Sequence, residues 1–332
     1  QITIPSSVTE IGNHVFDGCS SLEQITIPSS VTSIGNSAFC VCSSLTQIII
    51  PSSVTEIGNH VFDGCLSLAQ ILIPSSVTEI GDYSFSFCGS LSQITFEIPS
   101  SLKSIGNYSF AKCSSLKQIE IPSSVISIGN HIFDGIETLE ITGDIKHLPD
   151  NLFSRCSSLK QIIIPSSVTE IGNHVFEGCS SLTQILIPSS ATEIGDYSFS
   201  FCRSLSQITF EIPSSLKSIG NYSFAKCSSL KQIEIPSSVI KMGDYIFDEC
   251  SSLVKISIPS SIVTIGNYTF SHCKSLSQIT IPSSVTSIGN YAFYDCSSLF
   301  QITIPSSVTS IGNNVFYDCS SLSQISIPSS IT

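Results

Sequence analysis

A phrase of the form IPSSVTEIGNHVFDGC, first met from Ile4 to Cys19, returns until the chain closes on IPSSIT. Marked by the proline of IPSS, it recurs at positions 5, 28, 51, 74, 99, 122, 165, 188, 213, 236, 259, 282, 305 and 328, an almost constant step. A chain of 332 residues would ordinarily suggest two globular domains, but a short fixed period overrides that expectation. Such a chain folds as stacked layers, each held by its neighbours rather than by one closed core.

The exceptions carry information. In LEITGDIKHLPDNLFSRC, Thr142 takes the proline place, with Ile145, Leu148, Phe153 and Cys156 at the usual offsets. The step into it is short, because IFDGIETLEI lacks part of the phrase around the usual cysteine. Two long steps arise where SQITFEIPSS adds a pair, so that Ile94, Phe96 and Ile98 alternate, as do Ile208, Phe210 and Ile212. Alternation predicts a strand lengthened by one inward-outward pair. Residues 51–126 and 165–240 are one stretch written twice, differing only at Asp63/Glu177, Leu66/Ser180, Ala69/Thr183, Val77/Ala191 and Gly89/Arg203. Whole layers have been copied as a block, which nearest-neighbour stability permits.

Within SSLEQITIPSSVTSIGNSAFCVC the apolar positions are Leu22, Ile25, Ile27, Val31, Ile34, Phe39 and Cys42. The Leu22-x-x-Ile25-x-Ile27 spacing places a short strand of period 2. Pro28 ends it, lacking the amide that a parallel neighbour needs. Val31 and Ile34 return across the core as a short β segment. Gly35 is expected to turn a corner with positive φ, and Asn36 to cap a single helical or 3-10 turn carrying Phe39 and Cys42.

The unit SSLxQIxIPSSVTxIGNxxFxxC resembles the BspA-like leucine-rich repeat over essentially the whole chain. The resemblance implies a right-handed leucine-rich repeat solenoid of about fourteen stacked repeats, with a parallel β-sheet on one face and short β and 3-10 or helical turns on the other. Residues 1–332 are expected to form a single solenoid domain, a fragment of a longer array uncapped at both ends, with irregular repeats near 127–156. It also implies a cell-surface or extracellular adhesion protein of a bacterium or protist. Cytoplasmic location is the alternative, which abundant unpaired cysteine would suit.

Hydrophobic residues make up 41% of the chain and charged ones 11%, with a formal charge of −12. That acidic field disfavours phosphate backbones, so no nucleic-acid partner is expected. No apolar run reaches the length of a membrane span, so no insertion is expected in this segment. No phosphate loop or dinucleotide fingerprint occurs, because each IGN offers a single glycine. No catalytic residue, small-molecule substrate or cofactor is therefore assigned.

Thirteen of the fourteen cysteines share one register of the repeat, from Cys19 and Cys42 to Cys319. A small buried hydrophobe suits that place, although stacked neighbours would be close enough for a disulfide. Free buried thiols are the favoured reading. Cys40 is the exception, a candidate reactive thiol or a tolerated substitution. Zinc is disfavoured, since Cys40-x-Cys42 is the only close pair and no histidine follows at finger spacing. His14, His60, His131 and His174 share a register with Tyr83, Tyr108 and Tyr197, which suggests a lid over the turn rather than a metal site. Asn107, Asn221 and Asn267 begin glycosylation sequons, but Asn or Asp fills that register throughout and a structural role explains them.

The exposed face of the strand row is the candidate binding surface. Glutamine precedes the inner isoleucine from Gln1, Gln24 and Gln47 to Gln324, a row that could hydrogen-bond to itself. The freer position lies between the two inward residues: Ile49, Leu72, Thr95 and Glu120, then Ile163, Leu186, Thr209 and Glu234. Ile49 with Leu72 forms an exposed apolar pair among polar neighbours, the kind of patch that marks interaction sites. The block copy repeats it as Ile163 with Leu186, about 24 Å away at the parallel-strand spacing. The expected function is a non-enzymatic module binding a matrix, host or cell-surface protein through this face. The alternative is a structural spacer or stalk with binding carried by other segments.

Overall fold

The structure, a computed structural model, describes residues 2–142 and 144–331, so Gln1 of the glutamine row lies outside the described residues. The chain forms two compact units, Gln1–Ile145 with Pro149–Pro165, and Lys146–Leu148 with Ser166–Thr332. Each is a parallel β-solenoid built of turns that follow the repeat of the sequence.

One turn shows how the sequence produces the layer. Gln24–Thr26 is the front strand, its middle residue buried and its ends exposed. Pro28 stops it, and the Pro28 carbonyl accepts the Val31 N–H at 3.0 Å to close a β-turn. Ser33–Ile34 forms the back strand. A series of turns then brings Phe39 and Cys42 inward. All seven apolar positions of the unit are buried, with Val31, Phe39 and Cys42 fully so.

Every strand pairing is parallel. In the first unit the back strands form one six-stranded sheet from Glu10–Ile11 to Ser127–Ile128. In the second, a five-stranded sheet runs from His147–Leu148 to Lys241–Met242. The front row is interrupted: Gln70–Ile73 pairs Gln93–Phe96, and a separate sheet joins Gln118–Glu120, Thr138–Thr142 and Gln161–Ile163. Thr138 aligns with Gln161, yet Gln118 aligns with Glu140, so the short repeat enters the sheet out of step with the glutamine row. Ile136 is buried and its N–H bonds the Phe133 carbonyl at 3.1 Å, the role that cysteine has elsewhere.

Three expectations for the turn are corrected, the last of them for Asn36 below. No helix, α or 3-10, occurs among the described residues. Residues such as His60 (φ 55°), Tyr83 (φ 56°) and Val41 (φ 55°) take left-handed backbone, which interrupts any helical run. Nor does Gly35 have positive φ. It is glycine because a Cβ there would lie 2.5 Å from Asn13 Oδ1 and 2.8 Å from the Asn13 nitrogen, in the preceding layer. Close approach of two backbones fixes this residue.

The layers are fastened by ladders of identical side chains. Phe39 and Phe62 stack with centroids 5.6 Å apart, and Phe199 and Phe224 at 5.5 Å. Outside them a second stack runs through His60, Tyr83, Tyr108 and His131 at 4.5–4.7 Å, the expected lid. The second serine of PSS also reaches back: Ser30 Oγ donates to the Val8 carbonyl at 2.6 Å, and Ser76 Oγ to that of Val54 at 2.6 Å. Asn36 does not cap its own turn. Its Oδ1 instead accepts the N–H of Asn59 in the next layer at 2.8 Å.

Candidate protein-binding face

The front strands present alternate residues to solvent because their period is two and one face is buried. Ile49, at 67% exposure, and Leu72 stand outward on Gln47–Ile49 and Gln70–Ile73, strands in contact within the first unit. Thr26 pairs with Ile49 on one side and Thr95 with Leu72 on the other, so the apolar pair is bounded by hydroxyls. Ile163 is exposed in the first unit, and Leu186 in the second, where it pairs with Thr209.

Thr95 and Glu120 come together. They line a groove of about 470 Å³ with Phe96, Ile98, Gln118 and Pro122, at the break between Gln93–Phe96 and Gln118–Glu120. The second unit repeats it: Thr209 and Glu234 line a groove of about 1170 Å³ with Phe210, Ile212, Lys231 and Lys255. Lys255 there pairs in register with Gln232, whereas in the first unit the slipped strand brings Glu140 against Gln118.

The groove rims were hidden in the sequence. Ile98 and Ile212 do not alternate inward with Phe96 and Phe210 but stand 79% and 91% exposed, beyond the strand ends. The acid between them is the reason. The Ser75 N–H donates to Glu97 Oε2 at 3.0 Å and the Ser189 N–H to Glu211 Oε2 at 2.9 Å, tying the added pair to the preceding layer and turning the isoleucine out. The insertion itself was the available signal. The glutamine row is also not self-bonded: Gln93 Nε2 donates to Thr95 Oγ1 at 3.4 Å and Gln207 Nε2 to Thr209 Oγ1 at 3.3 Å, with no Gln–Gln side-chain bond among the described residues.

The remaining polar motifs are held by the stack. All fourteen cysteines are thiols rather than disulfides. Cys42 Sγ donates to the Phe16 carbonyl at 3.1 Å and Cys65 Sγ to that of Phe39 at 3.2 Å, a thiol ladder. Burial pushes the Cys42 and Cys113 thiols up to about 12. Cys40 is half-buried, and burial, then Asp17 and Asp63, push it up to about 11, so it offers little thiolate at neutral pH. His60 Nδ1 lies 3.0 Å from Asp63 Oδ2 while its ring stacks on Tyr83. The amide nitrogens of Asn107, Asn221 and Asn267 donate to Asp82, Asp196 and Asp244 of the preceding layers.

A short layer with L-x-x-I-x-I on the front strand and a stacked phenylalanine behind it is the pattern of one family, and the family profile for the BspA type leucine rich repeat region, in six copies, matches residues 1–97, 92–206 and 193–323. The chain belongs to the BspA-type leucine-rich repeat family. Among solved structures, a leucine-rich repeat protein from Bacteroides ovatus is similar to it at 32% identity, covering 94% of this chain and 82% of that one, with a TM-score of 0.62. Pneumococcal vaccine antigen PcpA is similar in fold, at 22% identity over 98% of this chain and 88% of that one, with a TM-score of 0.51. No curated protein matches the chain. As a BspA-type repeat region, it is a protein-interaction repeat module. No helix among the described residues is long and apolar enough to cross a membrane.

Proposed function

We propose that this chain is the non-enzymatic binding module of a cell-surface adhesion or recognition protein, and that it holds a matrix, host or cell-surface protein on its front strands. One observation carries the reading: Ile49 and Leu72 lie outward on contacting strands, in a row whose other members are mostly polar. Exposed apolar side chains lose water on contact with a partner, which supplies affinity that hydroxyls and amides do not. The adjoining groove, with Thr95 and Glu120, gives polar groups to orient the contact. Family membership supports the surface location.

The copied block repeats these outward residues, as Ile163 in the first unit and as Leu186, Thr209 and Glu234 in the second. Two weak contacts to one ligand reinforce each other through effective concentration. The test is binding of the purified chain to a panel of immobilised matrix proteins and to whole cells by surface plasmon resonance and flow cytometry. Replacing Ile49 and Leu72 by Thr should weaken binding once, and adding Ile163→Thr and Leu186→Thr should weaken it again. Unchanged binding by the quadruple variant removes the strand face, and a wild-type chain that binds nothing in the panel favours a spacer.

A further inference from the structure

The residue just before the closing cysteine takes positive φ in both units: 71° at Gly18, 73° at Gly64 and 72° at Gly178, but also 56° at Phe87 and 61° at Phe201. Left-handed backbone suits glycine and opposes a bulky side chain. Phe87 is in addition 53% exposed, with no ring partner among the described residues. Glycine at the same register avoids both penalties. Other layers place non-glycine residues such as Val41, Lys112 and Asp295 in the same left-handed conformation, so what sets Phe87 apart is a large apolar ring exposed without a return in packing, which points to a contact outside the chain.

The copied block shows what such a ring receives. Phe201 is the counterpart of Phe87 in the second copy. Lys226 Nζ lies 4.5 Å from its centroid and Arg203 Cζ 5.9 Å. One difference inside the copied block and one just beyond it strip that cover from Phe87. Arg203 is replaced by Gly89. Lys112, the counterpart of Lys226, lies against Gly135 with its ammonium 3.4 Å from Asp134 Oδ2. Glu249, which stands where Gly135 does, instead holds Lys226 at 3.3 Å. Leu66, exposed, replaces Ser180 and adds apolar surface next to Gly89, since the Ser90 N–H bonds the Leu66 carbonyl. Val41, also exposed, passes alongside Gly64 and bonds the Asp63 carbonyl through its N–H.

We propose that the ridge of Val41, Leu66 and Phe87 docks an arginine-bearing segment of a partner protein, whose guanidinium takes the place on Phe87 that Arg203 and Lys226 take on Phe201. A guanidinium is planar, weakly hydrated and able to stack on an aromatic face while its stem lies on Leu66 and Val41. Asp63 and the chain's net charge of −12 favour a cation there. The ridge belongs to the turn side of the layer and not to the front strands, so it is independent of the site proposed above.

The test uses the purified chain and two fluorescein-labelled peptides, one with two arginines flanking a leucine and the other with glutamines in their place, titrated by fluorescence anisotropy. The arginine peptide should bind more tightly. Gly89→Arg should weaken it about fivefold by supplying the cation internally. A Cβ at Gly89 meets nothing within 4 Å, so that variant folds. Phe87→Gly should abolish the preference while leaving thermal stability unchanged or higher, which a structural role for the ring would not allow. The quadruple strand-face variant should still bind. Equal binding of the two peptides, no effect of Gly89→Arg, or loss of binding in the strand-face variant would each overturn the assignment.

Discussion

Asn13 Oδ1 accepts the backbone N–H of Asn36 at 2.7 Å, so a side chain in one layer satisfies the main chain of the next. The same bond links Asn36 to Asn59 and Asn59 to Asp82, and in the second unit Asn267 to Asn290 and Asn290 to Asn313. Each amide is placed by its counterpart one repeat earlier.

Removing one rung should therefore be felt one layer away. Asn36→Ala should cost about 1 kcal/mol in urea unfolding and speed hydrogen exchange at the Asn59 amide. Asn36→Asp should be nearly neutral, because Asp82 already serves Asn107 in this way at 2.6 Å. Equal exchange at Asn59 in wild type and Asn36→Ala would show that the bond is incidental.

The glycine of IGN or IGD should be less replaceable than the glycine before the cysteine, although only the second has positive φ. A Cβ on Gly81 would sit 2.5 Å from Asn59 Oδ1 and 2.7 Å from the Gly58 carbonyl carbon, whereas one on Gly18 meets nothing within 4 Å. Gly81→Ala should destabilise by about 2–3 kcal/mol through forced separation of layers. Gly18→Ala should cost about 1 kcal/mol through backbone conformation alone. Thermal melting of the two variants, side by side, gives the order.

The phenylalanine column predicts damage that stays local. Phe247 is fully buried between Phe224 and Phe270, and truncation to Ala should cost about 3–5 kcal/mol. Because layers are held by their neighbours, hydrogen exchange should rise around Phe224, Phe247 and Phe270 and remain slow in the first unit. A uniform rise through both units would contradict nearest-neighbour stability.

Stability should fall with alkaline pH. An ordinary thiol ionises near 9, and burial holds Cys42 and Cys113 at about 12 in the folded chain. Below pH 9 both states keep the proton and the contribution is complete. Between pH 9 and 12 the unfolded thiols release protons that the folded ones retain, so unfolding becomes progressively easier. Urea midpoints should decline over that window, and less steeply in Cys113→Ala. Alkylation at pH 8 should reach the core thiols only after urea is added.

The apolar skeleton of the layer was open to reading from sequence because burial follows period: Ile25 and Ile27 alternate, and Val31, Ile34, Phe39 and Cys42 recur at fixed places in the repeat. Ile49 and Leu72 were legible for the same reason, being apolar at an outward place of a strand. What was not legible lies between layers. Gly35 looks like a corner glycine until Asn13 is seen against it, and Asn36 looks like a local cap until its partner proves to be Asn59. Ile98 obeys the alternation of Ile94 and Phe96 on paper, but the hold of Ser75 on Glu97 turns it outward and opens the groove. Period reveals which side chains leave water. It does not reveal which neighbour meets them.

The serine and asparagine bonds between layers share a direction, and that direction bears on how such genes change. Ser30 reaches back to Val8, Ser76 to Val54, and Asn13 offers its oxygen forward. A regular layer thus presents to its successor the same donors and acceptors as the next one does. Unequal crossing-over that adds or drops a whole number of repeats rejoins the chain at a seam chemically identical to the one it severed. The near-identity of 51–126 and 165–240, five letters apart, is what an exchange of this kind leaves behind.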